Sequence, residues 1–427
     1  MRDPQGHLPT APRAPSGSGA AGRLLLLGAS ARALAASAVL SVEARRRFPG
    51  GLLVIDYFGD TDLAADRVRS RQPSWPDVSV LSVSRDLGLP RTTSSLGRAA
   101  LKERWSALAY TGGLENRPGL LRLLARRRAA GGVIGSLLGN EPQALRSVRD
   151  PHRLFAVLVA QGIPHAAVRF DGPPRDGAEY LVKKVCSAGG SGIQTPVPGE
   201  PVPPGRFLQK RLRGPIGSAA FLACNGRAVL LGVTEQLAGW EALGASGFRY
   251  AGSIAGPAGA FLSDEALGQV GLAAQRITER FGLRGLNGLD YVVQDGVPHL
   301  IEVNPRWTAS MELIEERLGR NLFDLHLRSL QDEGEGLGLR SLPRETDAVA
   351  GTGRFLAKGI LYATRACTAP DPAALEALAA RDRPRAGESF TPGQPVCTLI
   401  VRGDGTDDCR ARLRESAAAA RALLRPA

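Results

Sequence analysis

Lysine is nearly missing from this chain. Of its 54 basic residues only Lys102, Lys183, Lys184, Lys210 and Lys358 are lysines, so almost all its positive charge is arginine. Aromatic residues make up only 5% of the 427 positions. Basic runs such as Arg45-Arg46-Arg47 and Arg126-Arg127-Arg128 carry no interleaved aromatics. They read as solvated helix faces, and no nucleic-acid partner is expected despite a net charge of +13. A positive field of that size still favours anionic substrates. Cysteine is limited to Cys186, Cys224, Cys367, Cys397 and Cys409, an odd number, scattered, with no C-x-x-C pair. That argues against a disulfide framework and a zinc site, and suits a reducing cytoplasm. Long hydrophobic runs are missing too. The longest apolar stretch, Leu24 to Leu40, contains Arg32, is short for a membrane span, and is cut by Gly28-Ala29-Ser30 like a strand-to-helix turn. Neither a membrane segment nor an export signal is read there, and a cytoplasmic protein is expected.

What is present has the pattern of a multidomain α/β and α+β protein. Residues 1–21 are Pro, Gly, Ser and Ala with no apolar period, the composition of a disordered tail. Residues 22–147 read as a Rossmann-like unit. Its strands fall at Leu24–Leu27, Leu52–Asp56, Val78–Val83 and Gly132–Gly135, with helices at about Ser30–Arg47, Ser95–Trp105 and Arg117–Ala130. A second unit, 148–330, opens with a helix to about Gln161 and continues in strands, a hairpin around Asn225-Gly226, and a helix begun by Ser263-Asp264-Glu265. The stretch 332–338 reads as a linker, and 331–427 as a small C-terminal α/β extension ending in an Ala-rich helix.

The strongest chemical signal lies in residues 288–306. Two strand patterns flank Asp295-Gly296 and carry two carboxylates, an amide and a guanidinium. Glu302, Asn304 and Arg306 alternate, so they share one face while the strand lasts. A strict two-residue turn would pair Asp290 with Ile301, leaving Glu302 on the other face. A three-residue loop, with Gly296 or Val297 as the extra position, pairs Asp290 with Glu302 instead. In that register Asp290, Glu302 and Asn304 offer hard oxygen ligands for Mg²⁺ (or Mn²⁺), and Arg306 can neutralise charge on a transferring phosphoryl group.

Two weaker signals precede it. Lys183 and Lys184 close a strand that runs into a glycine-rich loop, Gly189-Gly190-Ser191-Gly192, whose backbone N–H groups can approach phosphate. The pattern is not a P-loop, because Gly-x-x-x-x-Gly-Lys-Ser/Thr is absent. Gln209, Lys210, Arg211 and Leu212 then end a strand that could present backbone groups to an adenine edge.

Taken in order, these signals resemble the ATP-grasp superfamily, particularly its biotin-carboxylase-like and carboxylate–amine ligase branches. The resemblance covers residues 150–330. It implies ATP bound by Lys183, the loop Gly189–Gly192 and the segment 209–212, with metal on Asp290, Glu302 and Asn304 and catalysis by Arg306. It also implies a pre-ATP-grasp domain before residue 148, and small-molecule carboxylate and amine substrates joined through an acyl phosphate. A homodimer is carried as an expectation. No protein nucleophile is needed, in keeping with the lack of a Ser/His/Asp or Cys/His constellation. Where many relatives have a second ATP-contacting lysine, this chain has Asp150-Pro151-His152-Arg153, with Arg153 as the candidate substitute. Segments 110–118, 248–253 and 359–363 resemble a subfamily linked to tetrahydromethanopterin and methanofuran one-carbon metabolism. That implies addition of an amino acid such as glutamate to such a carrier. Arg249, Tyr250, Glu115 and Asn116 become candidate substrate contacts.

Three rival readings follow from the same residues. Gly28-x-Ser30-x-x-Ala33 with Asp56 echoes a dinucleotide fingerprint of an NAD(P)-dependent oxidoreductase but lacks its second glycine. A non-catalytic ATP-binding module would not need Asp290, Glu302 and Asn304. A biotin-dependent carboxylase would need its carrier on another chain.

Overall fold

The computed structural model describes residues 22–63, 77–126, 136–171, 178–197, 200–331 and 355–427. The expected tail, the strand at 132–135, most of the basic run 126–128 and the linker at 332–338 lie outside them.

The first unit is a parallel five-stranded sheet. It comprises Leu24–Leu27 (β1), Leu52–Asp56 (β2), Val78–Ser82 (β3), Ala107–Tyr110 (β4) and Ser136–Leu138 (β5), in the order β3-β2-β1-β4-β5. The four leucines of β1 are wholly buried because a central parallel strand is covered on both faces. Their side chains alternate: Leu25 and Leu27 join a core with Leu96, Leu108 and Leu121, whereas Leu24 and Leu26 face Ala35, Phe323 and Met311. The second core is continuous with Ala220, Leu222 and Leu286, so one apolar layer joins the first unit to the next. The single helix expected at 30–47 is two, Arg32–Leu40 and Val42–Arg47. Ser41, extended at ψ 121°, breaks it and caps the second with its hydroxyl, which accepts from Ala44 N at 2.8 Å.

The second unit begins with the helix Pro151–Ala160, capped by Asp150. A small sheet follows, of Val168–Arg169 (β6), Tyr180–Lys184 (β7) and Arg206–Lys210 (β8), in the order β6-β8-β7. Next come Ile216–Cys224 (β9), Arg227–Ala238 (β10), Tyr250–Ala255 (β11), the helix Asp264–Phe281, Gly285–Gln294 (β12) and Val297–Asn304 (β13). The third segment contributes Phe355–Tyr362 (β14), Cys367–Thr368 (β15), Ser389–Phe390 (β16), Pro395–Gly403 (β17), the helix Thr406–Leu423 and Arg425–Pro426 (β18).

The large sheet has the order β13-β12-β9-β10-β11-β14-β17. The boundary expected near 330 therefore falls inside one sheet, and β14 and β17 extend its β11 edge. Leu361, Leu399, Leu413 and Ala417 bury the last helix against that edge. Among the described residues no helix is long and apolar enough to cross a membrane.

Candidate active site

The β12–β13 hairpin turns on Asp295 and Gly296, both at positive φ (53° and 78°), and Gln294 pairs directly with Val297. The turn is thus the two-residue kind, which corrects the expected extra residue at Gly296 or Val297. Asp and Gly both tolerate positive φ, so the turn closes at its shortest. The ladder slips further in: Asp290 faces Glu302, Tyr291 faces Leu300, and Ile301 is the bulged residue between them. That bulge aligns the two acids. It also presents the carbonyl of Ile301 to Gln209, whose Nε2 donates to it at 3.2 Å, while Gln209 Oε1 accepts from Lys183 Nζ at 2.9 Å. One irregularity in β13 thereby sets the acids and, through Gln209, the lysine.

The acids are knitted to their neighbours. Asp290 accepts from Gln236 Nε2 (2.7 Å) and Asn304 Nδ2 (2.8 Å); Asn304 Oδ1 accepts from Arg306 Nη2 (3.1 Å). Glu302 accepts from Arg149 Nη1. Burial pushes the Asp290 carboxyl up to about 6, reinforced by the charge of Glu302. Burial acts the same way on Glu302, but Arg149 and Lys183 outweigh it and hold that carboxyl below its ordinary range. Lys183 is pulled down by burial, with Glu302 and Asp290 opposing. Two carboxylates and an amide oxygen face one space, and one of the acids lacks a cation of its own. That donor set fits a divalent cation such as Mg²⁺.

These side chains line a cleft of about 900 Å³ of empty space, shared by Lys183, Gly189, Gly190, Asp290, Glu302, Asn304 and Arg306. The glycine loop closes one wall. Gly190 sits at φ 74°, where a Cβ would lie 1.8 Å from the carbonyl oxygen of Phe248, so only glycine lets the loop lie against that segment. Gly192 packs on the stem of Lys184, while Ser191 is exposed and donates to Ala188 O (2.8 Å). Lys183 is buried and lines the cleft with the acids, whereas Lys184 is exposed, so the two adjacent lysines play different parts.

Other expected residues sit elsewhere. Gln209, Lys210, Arg211 and Leu212 do not line this cleft. Gln209 is buried holding Lys183, and Arg211 lies over the Phe248 ring at 5.8 Å. Glu115 is buried and accepts from Arg306 Nε at 2.6 Å; Asn116 accepts from Arg149 Nη2 at 2.9 Å. Both steady a guanidinium, and neither lines this cleft. Arg249 donates to Gly393 O (2.7 Å) and stacks on Tyr362, whereas Tyr250 faces the cleft. Arg153 points outward, its guanidinium 3.6 Å from Asp150 and its side chain 65% exposed. The arginine that reaches the acids is Arg149, which sequence reasoning passed over; it lines a smaller pocket behind Lys183 and Glu302. It binds Glu302, Asn116 and the carbonyls of Ser187 (2.9 Å) and Val303 (3.2 Å). The N-cap signal at Asp150 could have found it, since that cap places Arg149 just ahead of the helix and Arg153 one turn into it.

The dinucleotide echo has a structural explanation. Asp56 is fully buried and accepts the backbone N–H groups of Ala31, Phe58 and Gly59 at 2.8–3.3 Å, as a turn-building acid. Gly28 is needed for close packing, because a Cβ there would lie 1.9 Å from Thr111 Oγ1.

Residues 153–310 match the family model of the ATP-grasp domain. Among solved structures, the chain is similar to the biotin carboxylase domain of Hydrogenobacter thermophilus 2-oxoglutarate carboxylase, solved with MgADP and bicarbonate (14% identity, 92% of this chain and 89% of that one, TM-score 0.63). Campylobacter jejuni biotin carboxylase is similar at 13% identity (94% and 91%, TM-score 0.62). So is carboxyaminoimidazole ribonucleotide synthase from Aspergillus clavatus, solved with ATP, at 14% identity (95% and 100%, TM-score 0.60). At such identities these likenesses establish the fold. Among curated proteins no sequence match to the chain is found.

Proposed function

We propose that the protein is an ATP-dependent ligase that joins a carboxylate to an amine through an acyl phosphate. The observation that carries this reading is the convergence of Asp290, Glu302, Asn304 and Arg306 on one cleft with Lys183 and the glycine loop. In this reading Asp290, Glu302 and Asn304 would hold magnesium, which would supply charge neutralisation at the phosphates. Lys183 and the loop N–H groups of Gly189–Gly192 cradle ATP, and Arg149 takes the phosphate-facing place assigned from sequence to Arg153. Arg306, held by Glu115 and Asn304, meets the charge that develops as the substrate carboxylate takes the γ-phosphoryl group. The amine then displaces phosphate from the acyl carbon, giving an amide, ADP and phosphate. Fixed geometry and charge neutralisation supply the rate, so no protein nucleophile is required.

In its narrowest form the proposal adds an amino acid such as glutamate to a one-carbon carrier or its precursor, resting on the segments 110–118, 248–253 and 359–363. The protein would act in the cytoplasm, and a homodimer belongs to the same reading, supported by the dimeric biotin carboxylase domain it resembles. The deciding experiment is a screen of carboxylate and amine pairs, reading ADP and phosphate release, with Glu302→Gln and Arg306→Ala as controls. Full turnover in both variants would remove the site assignment.

A further inference from the structure

A second cavity of about 1000 Å³ adjoins the cleft at Arg306 and Tyr250 and runs over the C-terminal ends of β1, β2 and β4. Its walls are mostly apolar, with Phe58, Ile360, Tyr362 and Val396 among them, and Asp60 stands in its lining. The acids around Asp60 are all served. Asp56 takes three backbone N–H groups, and Asp62 takes those of Asp382 and Arg383 at 3.0 and 2.9 Å. Asp382 takes Arg32, and Glu312 takes Arg32, Lys358 and Arg381. Asp60 is 92% buried (8% exposed) and has no hydrogen bond or ion pair among the described residues. The charges acting on it, from Asp382, Asp56, Asp62 and Glu388, are negative, and together with burial they push its carboxyl well up. An acid buried in an anionic field without a partner holds its proton, and a cation arriving beside it is what would stabilise the carboxylate.

We propose that this cavity seats one of the ligase's two substrates, a slender molecule with an apolar body whose ammonium group pairs with Asp60 while its reacting end lies at Arg306. The inference rests on the ligase reading for the identity of the reacting end, and on the cavity alone for the ammonium. Asp60 follows β2, and Arg306 lies against Gly112, which follows β4; a Cβ at Gly112 would be 3.6 Å from the guanidinium carbon. β2 and β4 flank β1, so the strands from which the two ends rise stand two strand spacings, about 10 Å, apart. A chain of five or six methylenes spans that distance.

The test uses the full chain without ATP, titrated calorimetrically with 6-aminohexanoate, hexylamine and hexanoate. 6-Aminohexanoate is expected to bind at least about 10-fold more tightly than hexanoate, and Asp60→Asn to erase that preference while leaving hexanoate within about twofold. Asp60→Glu is expected to restore part of it. Equal binding of 6-aminohexanoate and hexanoate, or undiminished 6-aminohexanoate binding by Asp60→Asn, overturns the proposal; the latter outcome assigns Asp60 a hydrogen bond, not a charge. Ammonium selectivity in a protein that releases no phosphate from ATP would sink the ligase reading and leave the pocket. Phosphate release with no ammonium selectivity does the reverse.

Discussion

Two regions of this molecule bury several acids together, and they do it in opposite ways. On the β12–β13 hairpin, Asp290 and Glu302 are held by side chains that themselves line an open cleft, and the pair shares its space with Lys183 and Arg306. Above the first sheet, Asp56, Asp62, Asp382 and Glu312 are spent on backbone N–H groups and on Arg32, Lys358 and Arg381, tying three distant segments into one seam. Acids of the first kind leave room for an outside cation; acids of the second kind are already neutralised by the fold. Asp60 belongs by position to the second region, yet among the described residues it has no hydrogen bond or ion pair, so like the acids of the first it leaves room for a cation.

The comparison breaks most directly at Glu312. Removing it in Glu312→Ala leaves Lys358, 4% exposed, without its carboxylate and takes from Arg32, 3% exposed, one of its two hydrogen-bonded acid partners, leaving Asp382. The expected loss is about 3–5 kcal/mol of stability in urea unfolding, the usual cost of stranding a buried charge. A loss below about 1 kcal/mol would mean the seam is not structural. Glu302→Gln is the mirror image. Its expected effect is about a 10³-fold loss of ATP turnover, near 4 kcal/mol in the barrier, with the melting temperature little changed. If the fold collapsed with it, the hairpin acids would be structural too. Arg149→Ala comes next, at about 10² in kcat/KM, against a change of less than about twofold for Arg153→Ala. Equal effects of the two would undo the assignment of Arg149 to the site.

How much of this was legible in the sequence follows from how local each feature is. The acid-bearing hairpin could be read because its chemistry lies within residues 288–306 and alternation places it on one face. Even there, the bulge went to Ile301 instead of the turn. The turn obeys its own residues, and the offset was settled by β9 holding β12 from the far side, with Asp290 paired to Ser218. The β1, β2 and β4 strands were legible because central parallel strands are apolar throughout. Arg149 was missed because its burial depends on Glu302, over a hundred residues later, and the arginine partners of Glu115 and Asn116 are likewise distant in sequence. The boundary near 330 followed composition, but backbone pairing of β11 with β14 carries the sheet across it. Asp60 has no motif at all; only its burial beside Asp382 gives it meaning.

The seam between the two regions supplies the mildest test. His326, on the helix Leu322–Ser329, accepts the N–H of Leu286 on Nδ1 at 3.0 Å, and its Nε2 lies 3.3 Å from the carbonyl of Leu138. It thus links the end of the first sheet to β12, and the neutral ring protonated on Nε2 serves both partners. Burial pulls its pKa down to about 4. The folded value lies below the unfolded one, about 6.5, so the unfolded chain takes the proton first and stability falls as pH drops from 6.5 toward 4. By pH 5 this one group is expected to cost about 2 kcal/mol relative to pH 7.5. His326→Gln, which cannot titrate, is expected to show a shallower acid limb in urea unfolding between pH 7.5 and 5. Parallel limbs in the two proteins would place the acid sensitivity in the carboxylates that the fold holds below their ordinary range, Glu302, Glu312 and Asp382, instead of at His326.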